Sequence, residues 1–193
     1  RNGVPGRYLM KHLTAKWASM ALVLVLSSTL SGYARAATVS FNCITINPVD
    51  CPIATAQITV DVIDLGPSGV KFRFNNAGPL VSSISEVYFD DGTLLGISSV
   101  THSTGDPWTG GSANPGNLPG GNNASPPFVA TAGFLAESNP SPSHNGVRPG
   151  EYVDVIFALQ GGGTYGDVLG ELMTGELRIG MHVMRSRVVV ASA

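Results

Sequence analysis

The sequence predicts an all-β protein, an antiparallel β-sandwich of immunoglobulin-like or jelly-roll-like form, with one short helix near the C-terminus. Three observations lead there. Several segments alternate apolar and polar residues with period two, as half-buried strands do. Gly- and Pro-rich connections separate them. One segment alone, residues 165–174, combines a capping residue, helical apolar spacing and a terminating glycine.

The chain opens with residues 1–9, which read as upstream sequence translated with the gene. Met10 then begins a basic start (Lys11, His12, Lys16), a 13-residue stretch of apolar and small residues at 18–30, and the small-x-small triplet Ala34-Arg35-Ala36. Residues 10–36 are therefore expected to be a secretory signal peptide cleaved near Ala36. A bilayer span takes about 20 apolar residues, so a membrane anchor is the poorer reading. The remaining residues, 37–193, are expected to form a single domain. They hold six Lys and Arg against all 13 Asp and Glu, a net charge of −7. That balance gives no electrostatic footprint for nucleic acid and is compatible with cation binding. Cys43 and Cys51 are the only cysteines. An even pair in an exported chain points to a disulfide, with two free thiols as the alternative.

Residues 38–51 read as a short strand and a loop pinned by those cysteines. In AQITVDVID, Ile58, Val60 and Val62 point one way; in VKFRFN, Val70, Phe72 and Phe74 do the same. A connection of three or five residues across Leu65-Gly66-Pro67-Ser68-Gly69 keeps both sets on one face. The three-residue register sets Asp61 opposite Arg73 as a surface ion pair. Asp91-Gly92 lies between two apolar runs and reads as a type I′ hairpin, pairing Asp90 with Thr93 and Phe89 with Leu94. Apolar residues on both faces of that strand pair place it mid-domain, covered on both sides.

The 103–127 stretch, opened by Ser103 and closed by Pro127, holds 11 Gly and Pro in 25 residues and should carry no strand or helix. A loop of that length is functional or mobile. Trp108 within it is either a platform for a sugar ring or an anchor tucked onto the sandwich. FVATAGFLAES reads as a strand interrupted at Gly133, and 139–150 as a second Pro-rich connection. EYVDVIFAL sets Val153, Val155, Phe157 and Leu159 on one face. A helix over 165–174 takes Thr164 as N-cap and Gly175 as terminator, with Val168, Leu169, Leu172 and Met173 as its apolar side. ELRIGMHV alternates with Leu177, Ile179, Met181 and Val183 inward and His182 outward.

No catalytic constellation emerges. Gly161 to Gly166 matches GxGxxG between a strand and a helix. However, no acidic residue follows at dinucleotide spacing, and the flanking strands alternate as antiparallel ones do. Glu86, Asp90 and Asp91 are the metal candidates, for Ca²⁺, but a calcium site takes six to eight oxygens and turn chemistry explains Asp91 without an ion. His102, His144 and His182 are scattered, with no metal-binding or hydrolase spacing. Asn123-Ala124-Ser125 has the glycosylation form.

The segments FRFNNAGPLVSSISEVYFDDGTLLGISSV, NPGNLPGGNN with PPFVATAGFLAES, and NGVRPGEYVDVIFALQGGGTYGDVLGELMTGELRIGMHV resemble a family of exported bacterial proteins that carry a PEP-CTERM sorting tail. The resemblance spans about 42–183. It implies export from a Gram-negative cell, sorting by a tail-cleaving machinery and a link with exopolysaccharide and biofilm material; it implies no biochemical activity. The chain departs from that family after Val183, where a Gly/Ser-rich stretch, a Pro-Glu-Pro motif and an apolar span are expected and MRSRVVVASA stands instead. A gene truncated or frameshifted at that point is the expectation. The functional expectation is thus an exported, non-catalytic surface or extracellular-matrix protein. Its alternative is a carbohydrate- or calcium-binding module using the 103–127 loop and Trp108. A hydrolase stands last.

Overall fold

The structure is a computed structural model and describes residues 35–45, 50–112, 117–136, 141–184 and 188–191. The expected signal peptide lies outside the described residues up to residue 34.

In chain order the elements are β1 (Ala36–Val39), β2 (Asn42–Cys43), α1 (Asp50–Gln57), β3 (Ile58–Asp64), β4 (Gly69–Asn76), β5 (Ser83–Asp90), β6 (Leu95–His102), β7 (Trp108–Ser112), β8 (Ala132–Ala136), α2 (Pro142–Asn145), β9 (Tyr152–Leu159), α3 (Tyr165–Thr174), β10 (Arg178–Met184) and β11 (Val188–Ala191). The strands make two antiparallel sheets, one ordered β1-β3-β4-β9-β6 and the other β2-β11-β10-β5-β8-β7. The all-β sandwich and the C-terminal helix are as expected.

The alternating segments behave as their period requires. Ile58, Val60, Val62, Val70, Phe72, Phe74, Val153, Val155, Phe157, Leu159, Leu177, Ile179, Met181 and Val183 are all buried. Their shared core centres on Phe89, whose ring lies 4.8 Å from Phe157 and 5.0 Å from Phe72, edge to face. Such pairs add about 0.5–1.5 kcal/mol each beyond burial of area. Residues of both sheets therefore meet at one ring. The helix α3 is capped as expected. Thr164 Oγ1 accepts from Asp167 N, the Asp167 carboxylate accepts from Thr164 N, and Gly175 takes φ 78°. Val168 and Leu172 enter the core and Leu169 packs against it, but Met173 is 87% exposed and does not belong to the apolar side.

The Asp91-Gly92 turn departs from expectation. β5 and β6 do not pair: β5 lies between β10 and β8, while β6 pairs with β9 in the other sheet. The turn is a corner between sheets. Only Gly92 has positive φ (61°), whereas a type I′ turn needs two such residues. The Asp91 carboxylate accepts from Leu95 N (2.7 Å) and from the Thr131 hydroxyl, and these bonds turn the chain away from its neighbour. β5 itself is covered on both faces, as expected.

What covers its outer face is the stretch expected to lack structure. Trp108–Ser112 is strand β7, paired with β8 at the sheet edge, and a 3₁₀ turn spans Gly121–Asn123. Leu118 and Phe128 pack with Tyr88 on the outside of the sheet. Gly180 makes room, since a Cβ there would lie 2.5 Å from Leu118 Cδ2. Arg178 ties the covering segment down by donating to Pro126 O (2.6 Å) and Pro127 O (2.8 Å) while pairing with Asp90.

Other corrections are local. α1 and α2 fall where a loop and a Pro-rich connection were expected, and α1 lacks a clear apolar stripe. The Asp61–Arg73 register holds, but Arg73 bonds Asp154 of β9 in bidentate fashion (2.7 and 2.8 Å), and Asp61 accepts from Thr38 and Asn75. Beyond Val183 the chain still contributes a strand, because β11 pairs with β10 and with β2. The Cys43–Cys51 disulfide is formed.

Candidate functional site

The side chains that converge most closely lie at the corner where β6 ends, β7 begins and β9 starts. Along β6 an irregularity between Leu95 and Ser98 resets the phase, so that Val100 and His102 sit opposite Val155 and Val153. His102 therefore points inward and is buried. Glu151 lies two residues before Val153, which places it on the same inward face, next to His102. The turn closed by Gly105 N donating to His102 O (3.0 Å) brings Asp106 back to the same ring.

His102 Nε2 lies 3.7 Å from Glu151 Oε2, and His102 Nδ1 lies 3.8 Å from Asp106 Oδ2. Possible ligand atoms of the three residues fall within 4.8 Å of one another. Arg148 faces both carboxylates. It donates to Glu151 Oε1 (2.7 Å) and reaches Asp106 Oδ2 at 3.4 Å, and its backbone N donates to Glu151 Oε2 (2.8 Å). Thr104 supplies a backbone N–H 3.3 Å from His102 Nδ1 and a hydroxyl 3.0 Å from it. Burial pushes the His102 imidazole below its ordinary pKa; the Glu151 and Asp106 charges oppose this and Arg148 adds to it. A metal is ligated by the neutral imidazole.

Trp108 opens β7 over this ring. The two planes are 12° from parallel with centroids 6.3 Å apart, and the indole Nε1 donates to Asn145 O of α2 (3.0 Å). Of the two sequence readings for Trp108, these contacts are those of an anchor. A cavity of about 360 Å³, lined by His102, Asp106, Pro107 and Trp108 among others, opens beside the cluster.

The carboxylates singled out in the sequence do not converge. Glu86 accepts from Tyr88 Oη (2.9 Å) and pairs with His182 (3.1 Å). Asp90 pairs with Arg178 and accepts from Val129 N (3.0 Å); Asp91 serves the corner. Among the described residues the one grouping of three possible metal ligands is His102, Asp106 and Glu151. One signal for it was present: the inward phase of β9 runs back to Glu151, whereas the phase that turns His102 inward is set by the irregularity in β6 and is not legible in the sequence. The glycines of GxGxxG form the bend from β9 to α3, with Gly161 and Gly162 at φ 62° and 79°. No described helix is long and apolar enough to cross a membrane. Compared with known proteins, the chain matches no family model, no curated protein and no solved structure.

Proposed function

We propose that this chain is an exported, non-catalytic surface or matrix protein of a Gram-negative cell, associated with extracellular polysaccharide. One observation carries the non-catalytic part. Three charged pairs are committed as structural ties: Arg73 with Asp154, Arg178 with Asp90, and His182 with Glu86. A nucleophile or general base needs a free partner within reach of substrate. The disulfide suits an oxidising compartment. The polysaccharide association follows the sequence resemblance.

Co-sedimentation of the purified protein with insoluble exopolysaccharide, alongside a hydrolase substrate panel, tests this. Retention in the pellet with no turnover supports it; turnover abolished by replacing a single histidine overturns it. A second reading, a carbohydrate- or calcium-binding module at the β6–β7 corner, is favoured by the cavity that opens beside Asp106, with Trp108 at its wall as a reporter. Tryptophan fluorescence titrated with polysaccharide and with Ca²⁺ distinguishes the two, since a flat response counts against the module.

A further inference from the structure

We propose that His102, Asp106 and Glu151 form a binding site for a divalent transition-metal ion of the zinc class, and that Arg148 occupies the cation position when no metal is bound. The inference is independent of the surface-protein reading.

The unusual feature is His102 Nε2. It is fully buried and, among the described residues, has no hydrogen-bond partner, although it faces Glu151 Oε2 at 3.7 Å. Buried polar atoms of this kind are rare because leaving one unpaired costs about 1–3 kcal/mol. A metal at Nε2 removes that cost. The ring has a ready orienter as well. With Nδ1 protonated, it donates to the Thr104 hydroxyl 3.0 Å away, and the Nε2 lone pair is left free beside Glu151. Metal-ligating histidines are oriented in this way, by donating the other ring N–H to an outer acceptor. The Thr104 backbone N–H, 3.3 Å from Nδ1, favours the opposite tautomer, which suits the metal-free state.

The donor set is one imidazole and two carboxylates. Tetrahedral ligands at about 2.0–2.1 Å from zinc stand about 3.4 Å apart, so His102 Nε2 and Glu151 are near that spacing, whereas Asp106, which lies 3.8 Å from Nδ1, has to turn toward Nε2 to join them. A nitrogen donor and so few oxygens suit zinc-class ions better than Ca²⁺.

Among the described residues, the charged groups facing the site are Asp106, Glu151 and Arg148. Arg148 lowers the affinity, since its guanidinium neutralises the carboxylates that a dication needs. Its side chain is 37% exposed, however, so it can swing out to solvent while its backbone N still holds Glu151. Metal binding is thus an exchange of one cation for another.

Isothermal titration calorimetry of the purified, disulfide-intact protein with Zn²⁺ tests this. One equivalent is expected to bind. Affinity should fall at least about tenfold in Asp106→Asn and be lost in His102→Gln, and it should rise at least about tenfold in Arg148→Met as the competing charge goes. His182→Gln should leave it unchanged. Circular dichroism melts confirm folding of each variant, and Asp106→Asn, altered in a surface turn, stands in if His102→Gln fails to fold. Zinc-edge absorption should report a nitrogen and oxygen shell without sulfur. No binding by the wild-type protein at millimolar Zn²⁺, or binding insensitive to both His102→Gln and Asp106→Asn, overturns the proposal.

Discussion

Replacing Asp91 by Ala is expected to destabilise the protein by about 3 kcal/mol, because this carboxylate holds the corner between the sheets. The magnitude is built from its partners. Asp91 is buried, and Leu95 N donates to it at 2.7 Å. Loss of a charge-assisted bond that leaves a partly buried N–H unmet costs about 1.5–3 kcal/mol. The Thr131 hydroxyl also loses Asp91 but retains Phe89 O at 3.0 Å, so its share is smaller, about 0.5–1 kcal/mol. For a domain of this size the total corresponds to a fall in Tm of about 6–12 °C. Asn keeps an acceptor for Leu95 N and loses mainly the charge, so Asp91→Asn should cost about 1 kcal/mol. Thr131→Val should couple to Asp91→Ala by at least about 1 kcal/mol in a double-mutant cycle, since the two side chains share one bond. Urea unfolding followed by circular dichroism at neutral pH, with the disulfide intact, measures all five proteins, wild type and double mutant included. A simple two-residue hairpin would lose about 1 kcal/mol, through the positive φ that Ala adopts poorly, and would show no coupling to Thr131. That result would refute the corner as the function of Asp91.

Removing the α3 cap by Thr164→Ala should lower the urea midpoint by an amount equivalent to about 1 kcal/mol, whereas Thr164→Ser should be nearly silent. Glu86 is held below its ordinary pKa by its hydrogen bond to His182, then by that from Tyr88. Its stabilisation is therefore complete above the ordinary glutamate value of about 4.3 and is lost as pH falls through the lower folded value; Glu86→Gln should flatten that acid limb of midpoint against pH. Tyr88 is pushed above its ordinary pKa, first by burial and then by the Glu86 charge. Its contribution is complete below about pH 10 and declines as pH rises beyond it, so Tyr88→Phe should reduce the alkaline loss of stability. Reduction of Cys43–Cys51 should cost about 2.5 kcal/mol by the chain-entropy estimate for so short a loop, read as the shift in urea midpoint between oxidised and reduced protein.

Short-range physics was legible in the sequence. The inward faces of β3, β4, β9 and β10 follow from side-chain alternation, which any window of six residues displays. The cap, length and end of α3 follow from Thr164, Asp167 and Gly175, all within one helix. The disulfide follows from there being two cysteines. Even the Asp61–Arg73 register follows, because the connection is short and parity leaves few choices. β7 was hidden because Gly110, Gly111 and Gly133 argue locally against a strand. In the sheet the lack of a side chain at Gly110 permits close approach, since a Cβ there would clash with Gly133 O. Met173 was misplaced because helical spacing alone does not say how wide the buried stripe is.

By itself, then, the sequence determined which side of each strand faces the core and where the last helix starts and stops, since these depend on residues a few positions apart. Tertiary structure alone decided which strands become neighbours, and with that the corner at Asp91, the choice of Asp154 for Arg73 across 81 positions, and the meeting of His102 with Glu151. Pairing energy between distant segments depends on the whole packed arrangement, and no local window contains it.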